Sequence, residues 1–138
     1  MTKHESRLRV PEQEKGFMND EHHEAARLMD QVLDLCRDGS APEVADAFEA
    51  FMTLNRSHFA SEDALMEQVG FPQTEYHRQE HATHLARWEG MLAGLRNGEI
   101  TIPAFSDALE GEVLPWYQRH FTTLDALLSK FAHMKAQG

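Results

Sequence analysis

A single cysteine, Cys36, stands in the 138-residue chain, so no internal disulfide can brace the fold, and a reducing compartment is implied. Long hydrophobic runs are missing: no apolar stretch exceeds a few residues, and the segment from Met1 to Gly16 is polar and charged. Neither a membrane span nor a signal peptide is therefore expected, and the cytoplasm is the expected location. Basic residues are scarce, with 13 Lys and Arg against 23 Asp and Glu, a formal net charge of -10 and no basic cluster. Such a surface repels phosphate backbones and anionic lipid, which excludes nucleic acid and membrane surfaces as expected partners. Alternation of period two is absent as well, and no internal repeat, low-complexity tract or linker divides the chain. What remains, 41% hydrophobic and 26% charged, is the make-up of one domain around one core.

The patterns that are present are helical. Residues 1–17 carry Pro11 and Gly16 among charges and read as an N-terminal arm, while residues 18–138 read as an all-α bundle. From Asn19 to Arg37, Ala25, Met29, Val32, Leu33 and Cys36 recur at three- and four-residue steps, and Asp38-Gly39 ends the helix. Ser40-Ala41-Pro42-Glu43 forms a capping box with proline in the first turn. Phe48, Phe51, Asn55, His58, Glu62, Leu65 and Val69 then share one face until Gly70-Phe71-Pro72. A third helix runs from about Thr74 to Arg96 on the stripe His77, His81, His84, Trp88, Leu92 and Leu95, and stops at Asn97-Gly98. After Thr101-Ile102-Pro103 a fourth reaches about His133. Within it Pro115 lacks the N–H that would bond to the Gly111 carbonyl, which predicts a kink or restart near Trp116. Four helices with short connections describe an up-down-up-down four-helix bundle.

Nine histidines are several times the ordinary share of about 2% and invite a metal reading. Their positions matter more than their number. His22 lies on the inner stripe of the first helix, with Ala25, Ala26, Met29 and Leu33 following it at helical spacing. His23 cannot also point inward, because successive residues turn about 100° and its own stripe would carry Arg27 and Asp30 inside. On the second helix His58 and Glu62 are four apart, on the third His77 and His81 are four apart, and on the fourth His120 and Asp125 are five apart. Any one of these is ordinarily a hydrogen-bonded core residue. Five imidazoles and two carboxylates buried together without metal, however, would carry desolvation costs of several kcal/mol, which cations remove. Histidine with carboxylate suits iron, zinc or copper, and seven donors exceed what one zinc uses, so two ions are implied. The ferritin-like di-iron plan needs Glu-x-x-His on two helices. No glutamate stands three residues before a histidine here, which excludes it.

Met18-Asn19-Asp20-Glu21-His22, His58-Phe59-Ala60-Ser61-Glu62 with Leu65-Met66, Gly70-Phe71-Pro72 followed by His77 and His81, and Trp116-Tyr117 with His120 and Asp125 resemble the hemerythrins in order and spacing, over residues 18 to 131. The resemblance implies two non-heme iron ions sharing a solvent-derived oxo or hydroxo bridge. His77, His81 and His120 would bind one, His22 and His58 the other, and Glu62 and Asp125 would bridge both. It further implies an open position on the two-histidine ion for O2 or a similar small diatomic or peroxide ligand, in carriage, storage or sensing. Phe59, Trp116, Phe121 and Leu124 would shelter that position. A sensor would need a separate redox or signalling protein as partner, and a di-iron redox enzyme acting on peroxide or nitric oxide is the competing reading. Departures from the family pattern are Asn19, where many members carry Asp, and Ala25 and His84, where large apolar residues are usual. Ala25 should widen solvent access, and His84, expected to face the interior, would act as a core histidine or as a proton donor together with Tyr117.

Overall fold

The computed structural model describes Leu8 and residues 16–137, with no side-chain description for residues 16–19 and 137. Most of the N-terminal arm and the side chain of Asn19 thus lie outside the described residues. Three long helices come first: α1 (Gly16–Asp38), α2 (Ala41–Val69) and α3 (Thr74–Arg96). A fourth rod is built of α4 (Ile102–Ala108), a π-helical turn (Leu109–Val113), α5 (Leu114–His120), a second π-helical turn (Phe121–Asp125) and α6 (Ala126–Gln137). Among the described residues there are no strands, and α1 packs along α2, α2 along α3, and the fourth rod against all three. Among the described residues no helix is long and apolar enough to cross a membrane.

Local chemistry accounts for the boundaries. The expected capping box starts α2, with the Ser40 Oγ accepting from the Glu43 N–H and the Glu43 carboxylate accepting from the Ser40 N–H. Gly70 ends that helix at φ 67°, a left-handed conformation that glycine adopts without a Cβ penalty. At the other end of the bundle the Ile100 side chain packs onto Gly94, its Cδ1 2.5 Å from where a Cβ would stand, so a larger residue there would have to displace it. The first helix begins at Gly16, three residues before the expected Asn19.

Pro115 marks the expected restart, which falls two residues before Trp116. The helix widens into the π turn over Leu109–Val113 and restarts at Leu114, whose N–H bonds to the Leu109 carbonyl five residues back. The proline's missing donor is absorbed at that restart.

Two apolar clusters flank the middle of the bundle. The larger contains Met29, Phe48, Phe51, Met52, Phe59, Trp88, Phe105, Tyr117 and Phe121, and the smaller contains Met66, Phe71 and Leu128. Cys36 only packs against the margin of the larger cluster and is half-buried rather than a core residue.

Candidate metal centre

Between the two clusters lie His22, His58, Glu62, His77, His81, His120 and Asp125, each no more than 3% exposed. All seven expected donors are brought together. His22 is buried and His23 exposed, as the stripe of α1 requires. The second π turn accounts for the five-residue spacing of His120 and Asp125. In a regular α-helix, residues five apart are turned about 140° from one another, whereas a turn hydrogen-bonded i to i+5 brings them back onto one face. His120 Nε2 accordingly stands 3.0 Å from Asp125 Oδ1.

The donors sort into two groups. Glu62, His77, His81, His120 and Asp125 converge on one point, and His22, His58, Glu62 and Asp125 on another. Asp125 directs Oδ1 at His77 and His120, 3.0 Å from each Nε2, and Oδ2 at His22, 2.9 Å away. Glu62 directs Oε1 at His81, 3.0 Å away, and Oε2 at His58, 3.2 Å away. Each carboxylate therefore gives one oxygen to each group.

These contacts fit cations better than they fit hydrogen bonds. His120 Nε2 lies 3.1 Å from both His77 Nε2 and His81 Nε2, and one proton cannot satisfy three such nitrogens at once. Donors side by side on an octahedral ion with bonds of about 2.1 Å stand about 3.0 Å apart, which matches. Neither oxygen of Glu62 accepts a well-formed hydrogen bond among the described residues, although the carboxylate is fully buried.

Electrostatics point the same way. Burial pushes the His120 ring toward neutrality, but Asp125 and Glu62 lift it to about 9. The same opposition raises His58 well above, and His77 above, the ordinary imidazole value. Burial pushes the carboxyls of Glu62 and Asp125 up, and Asp125 pushes Glu62 further, while the histidines around them pull both well below the usual range. The cluster is a concentrated negative well that attracts protons, and divalent cations compete for it.

Two residues to which the sequence reading gives no role complete the site. Glu21 Oε1 accepts from His58 Nδ1 at 2.6 Å, and Asp63 Oδ1 faces His81 Nδ1 at 3.1 Å. A carboxylate behind the imidazole fixes its tautomer and aims Nε2 at the centre. Glu21 precedes His22 and Asp63 follows Glu62, so each looks like an outward neighbour of an inward residue. Only the helix-to-helix packing reveals their partners.

The expected sheltering residues divide. Phe59 stacks on His81 with centroids 3.9 Å apart, Phe121 lies 4.2 Å from His22, and Trp116 stacks 4.6 Å from His120. Ala25 is buried at 1%. Tyr117 is fully buried and donates its hydroxyl proton to Asn55 Oδ1, and burial and nearby carboxylates hold its phenol well above the ordinary value. It faces α2 as a packing and hydrogen-bonding residue. Leu124 is half-buried on the rim of a surface groove with Tyr76, Glu80, Arg119 and Thr123.

His84 corrects the expectation of an inward side chain. It is half-buried, stacked 4.1 Å from the outer face of Trp116, in a second groove with Thr83, Arg87, Glu112 and Arg119. Trp116 fills the space that His84 would need to reach the donors. Burial against the indole holds the His84 ring below its ordinary pKa, so it is neutral at pH 7.

An antiparallel helical bundle with histidines at its centre, and two carboxylates shared between the histidine groups, defines a metal-binding helical protein. Residues 16–132 match the family described as the hemerythrin HHE cation binding domain. The chain is 29% identical over 98 residues to a bacteriohemerythrin of Ralstonia nicotianae, covering 71% of this chain and 69% of that protein. A crystal structure of a leucine-to-tyrosine mutant of hemerythrin superposes with TM-score 0.76 at 20% identity, covering 87% of this chain and 89% of that one. Crystal structures of a leucine-to-phenylalanine mutant give the same values. The chain belongs to the hemerythrin family.

Proposed function

We propose that this protein holds two iron ions and binds O2 reversibly at one of them. The observation that carries the reading is the unequal division of donors: three histidines on one side, two on the other, and two carboxylates with one oxygen for each side. Iron with nitrogen and oxygen donors takes about six ligands, and the two-histidine group supplies one donor fewer than the other, so more room for a ligand would remain on that side. Iron supplies the electrons that hold O2 when it is bound there.

The protein's own part is positional. Glu21 and Asp63 hold the His58 and His81 rings in one orientation. Phe121 lies against His22 on the two-histidine side, and Phe59 covers His81 on the other side and reaches to 5.9 Å from His58, so apolar rings stand against both histidine groups and help keep water out. Tyr117 has its hydroxyl committed to Asn55 and offers no proton to the centre.

Anaerobic reduction of iron-loaded protein followed by addition of O2, watched by absorption, tests the reading. A visible band that appears with O2 and vanishes when O2 is removed is expected. Stoichiometric oxidation with no reversible band would overturn it.

A further inference from the structure

We propose that Trp116 is a one-electron relay between the metal centre and the surface groove beside His84, used when peroxide rather than O2 oxidises the centre. The proposal rests on the two-iron reading above. Its basis is a stack of three rings. His120, whose Nε2 faces the centre, lies 4.6 Å from Trp116 with planes 24° apart, and Trp116 lies 4.1 Å from His84 with planes 23° apart. Trp116 is 6% exposed, whereas His84 is half-buried on the wall of a groove of ≈ 460 Å³. Three near-parallel rings therefore connect a donor atom to a surface recess without a gap.

Trp116 also has the one hydrogen bond a redox-active indole needs. Its Nε1 donates to Glu80 Oε1 at 3.0 Å, so positive charge that develops on the ring meets a carboxylate. Trp88, 1% exposed and 5.7 Å away edge-on, and Tyr117, 5.7 Å away edge-on, neither stack on His120 nor share that carboxylate. Phe59, stacked on His81 and edge-on to His120, and Phe121, against His22, are not oxidisable in this range. Packing alone would be met by any large apolar side chain at position 116. The indole N–H aimed at Glu80 and the parallel stacking on both faces are features that packing does not require.

The electron count closes with a small phenol as reductant. One hydrogen peroxide and two phenols give two waters and two phenoxyl radicals. The O–O bond of peroxide breaks, its two electrons arrive at the centre through Trp116 one at a time, and the two protons released by the phenols complete the waters. At each step Trp116 loses one electron to the centre, keeps its N–H proton in the hydrogen bond to Glu80, and regains an electron from phenol in the groove walled by His84 and Arg119.

Iron content is measured first, on the parent, Trp116→Phe and Glu80→Gln proteins. Each is then mixed with a few equivalents of hydrogen peroxide without reductant, freeze-quenched for electron paramagnetic resonance, and digested for mass spectrometry of its tryptophan and tyrosine peptides. In the parent we expect a tryptophan radical and one or two oxygen atoms added at Trp116, absent from metal-free protein and suppressed by added guaiacol. Trp116→Phe should lose the radical while keeping its iron, and Glu80→Gln, which keeps the shape of the site, should weaken it. Oxidation that is equal at Trp88 and Trp116, or the same with and without metal, would overturn the relay while leaving the two-iron reading intact. Parent protein that takes up no iron would overturn that reading, and the relay with it.

Discussion

Glu62 on α2 and Asp125 on the fourth rod divide their oxygens between the same two histidine groups: Glu62 Oε1 lies 3.0 Å from His81 and Asp125 Oδ1 3.0 Å from His77, while Oε2 and Oδ2 face His58 and His22. Neither carboxylate belongs to one side of the centre. On the proposed two-iron reading, removing either should disturb both ions, whereas removing a histidine should disturb mainly one. We expect Glu62→Ala and Asp125→Ala proteins to retain almost no metal, and His81→Ala or His22→Ala to retain part of it. Elemental analysis after loading and desalting measures this, and fully loaded Glu62→Ala protein would refute the shared role.

Glu21 and Asp63 act through the histidines they touch. Glu21→Gln and Asp63→Asn keep side-chain volume but loosen the orientation of His58 and His81, and metal affinity should fall about 10- to 100-fold. Competition with a chelator of known affinity reads the change. Unaltered affinity in both variants would make these contacts incidental.

Without metal, the centre should make stability depend on pH with a definite sign. His58, His77 and His120 have raised pKa values in the fold, so their contribution is full below the ordinary imidazole value of about 6.5 and is lost as pH rises through about 9, the value of His120. Glu62 and Asp125 have lowered values, so theirs is present above the ordinary carboxylate range of about 4 and is lost as pH falls below it. Thermal unfolding of metal-free protein should show the highest Tm near pH 5–6.5 and a decline toward pH 9. Metal must displace the imidazole protons, so loading at pH 7 should release protons and flatten the decline. A metal-free Tm that climbs from pH 6 to pH 9 would contradict the charge assignment.

Tyr117 and Asn55 form a buried pair whose loss is predictable. In Tyr117→Phe, Asn55 Oδ1 loses its donor while its amide still donates to the Phe51 carbonyl, leaving a buried acceptor unsatisfied. Such a group costs about 1–3 kcal/mol. Denaturant unfolding should show a loss in that range, with metal content unchanged because Tyr117 does not face the donors. Loss of metal in this variant would place Tyr117 in the centre after all.

Much of the fold could be read from the chain because its signals are local. The capping box at Ser40, glycine at Gly70 and the inward stripe of α1 are decided within a few residues, and the choice of His22 over His23 needs only the 100° step. The donors were legible for the same reason. Three features were not. Pro115 announced a break but not its form, because a π turn depends on what the fourth rod packs against, and the same device at Phe121–Asp125 is what lets residues five apart share a face. His84 misled because it is three residues after His81, yet the heptad stripe drifts about 20° every seven residues and Trp116 from another helix already occupies the interior. Glu21 and Asp63 could not be found from spacing, since their partners lie on other helices.

Anaerobic titration of metal-free protein with Fe(II), followed by calorimetry, tests the central claim most directly. The division of donors between two histidine groups predicts uptake that ends at two irons per chain in the parent. A break at one iron per chain, or no saturable uptake, would contradict it.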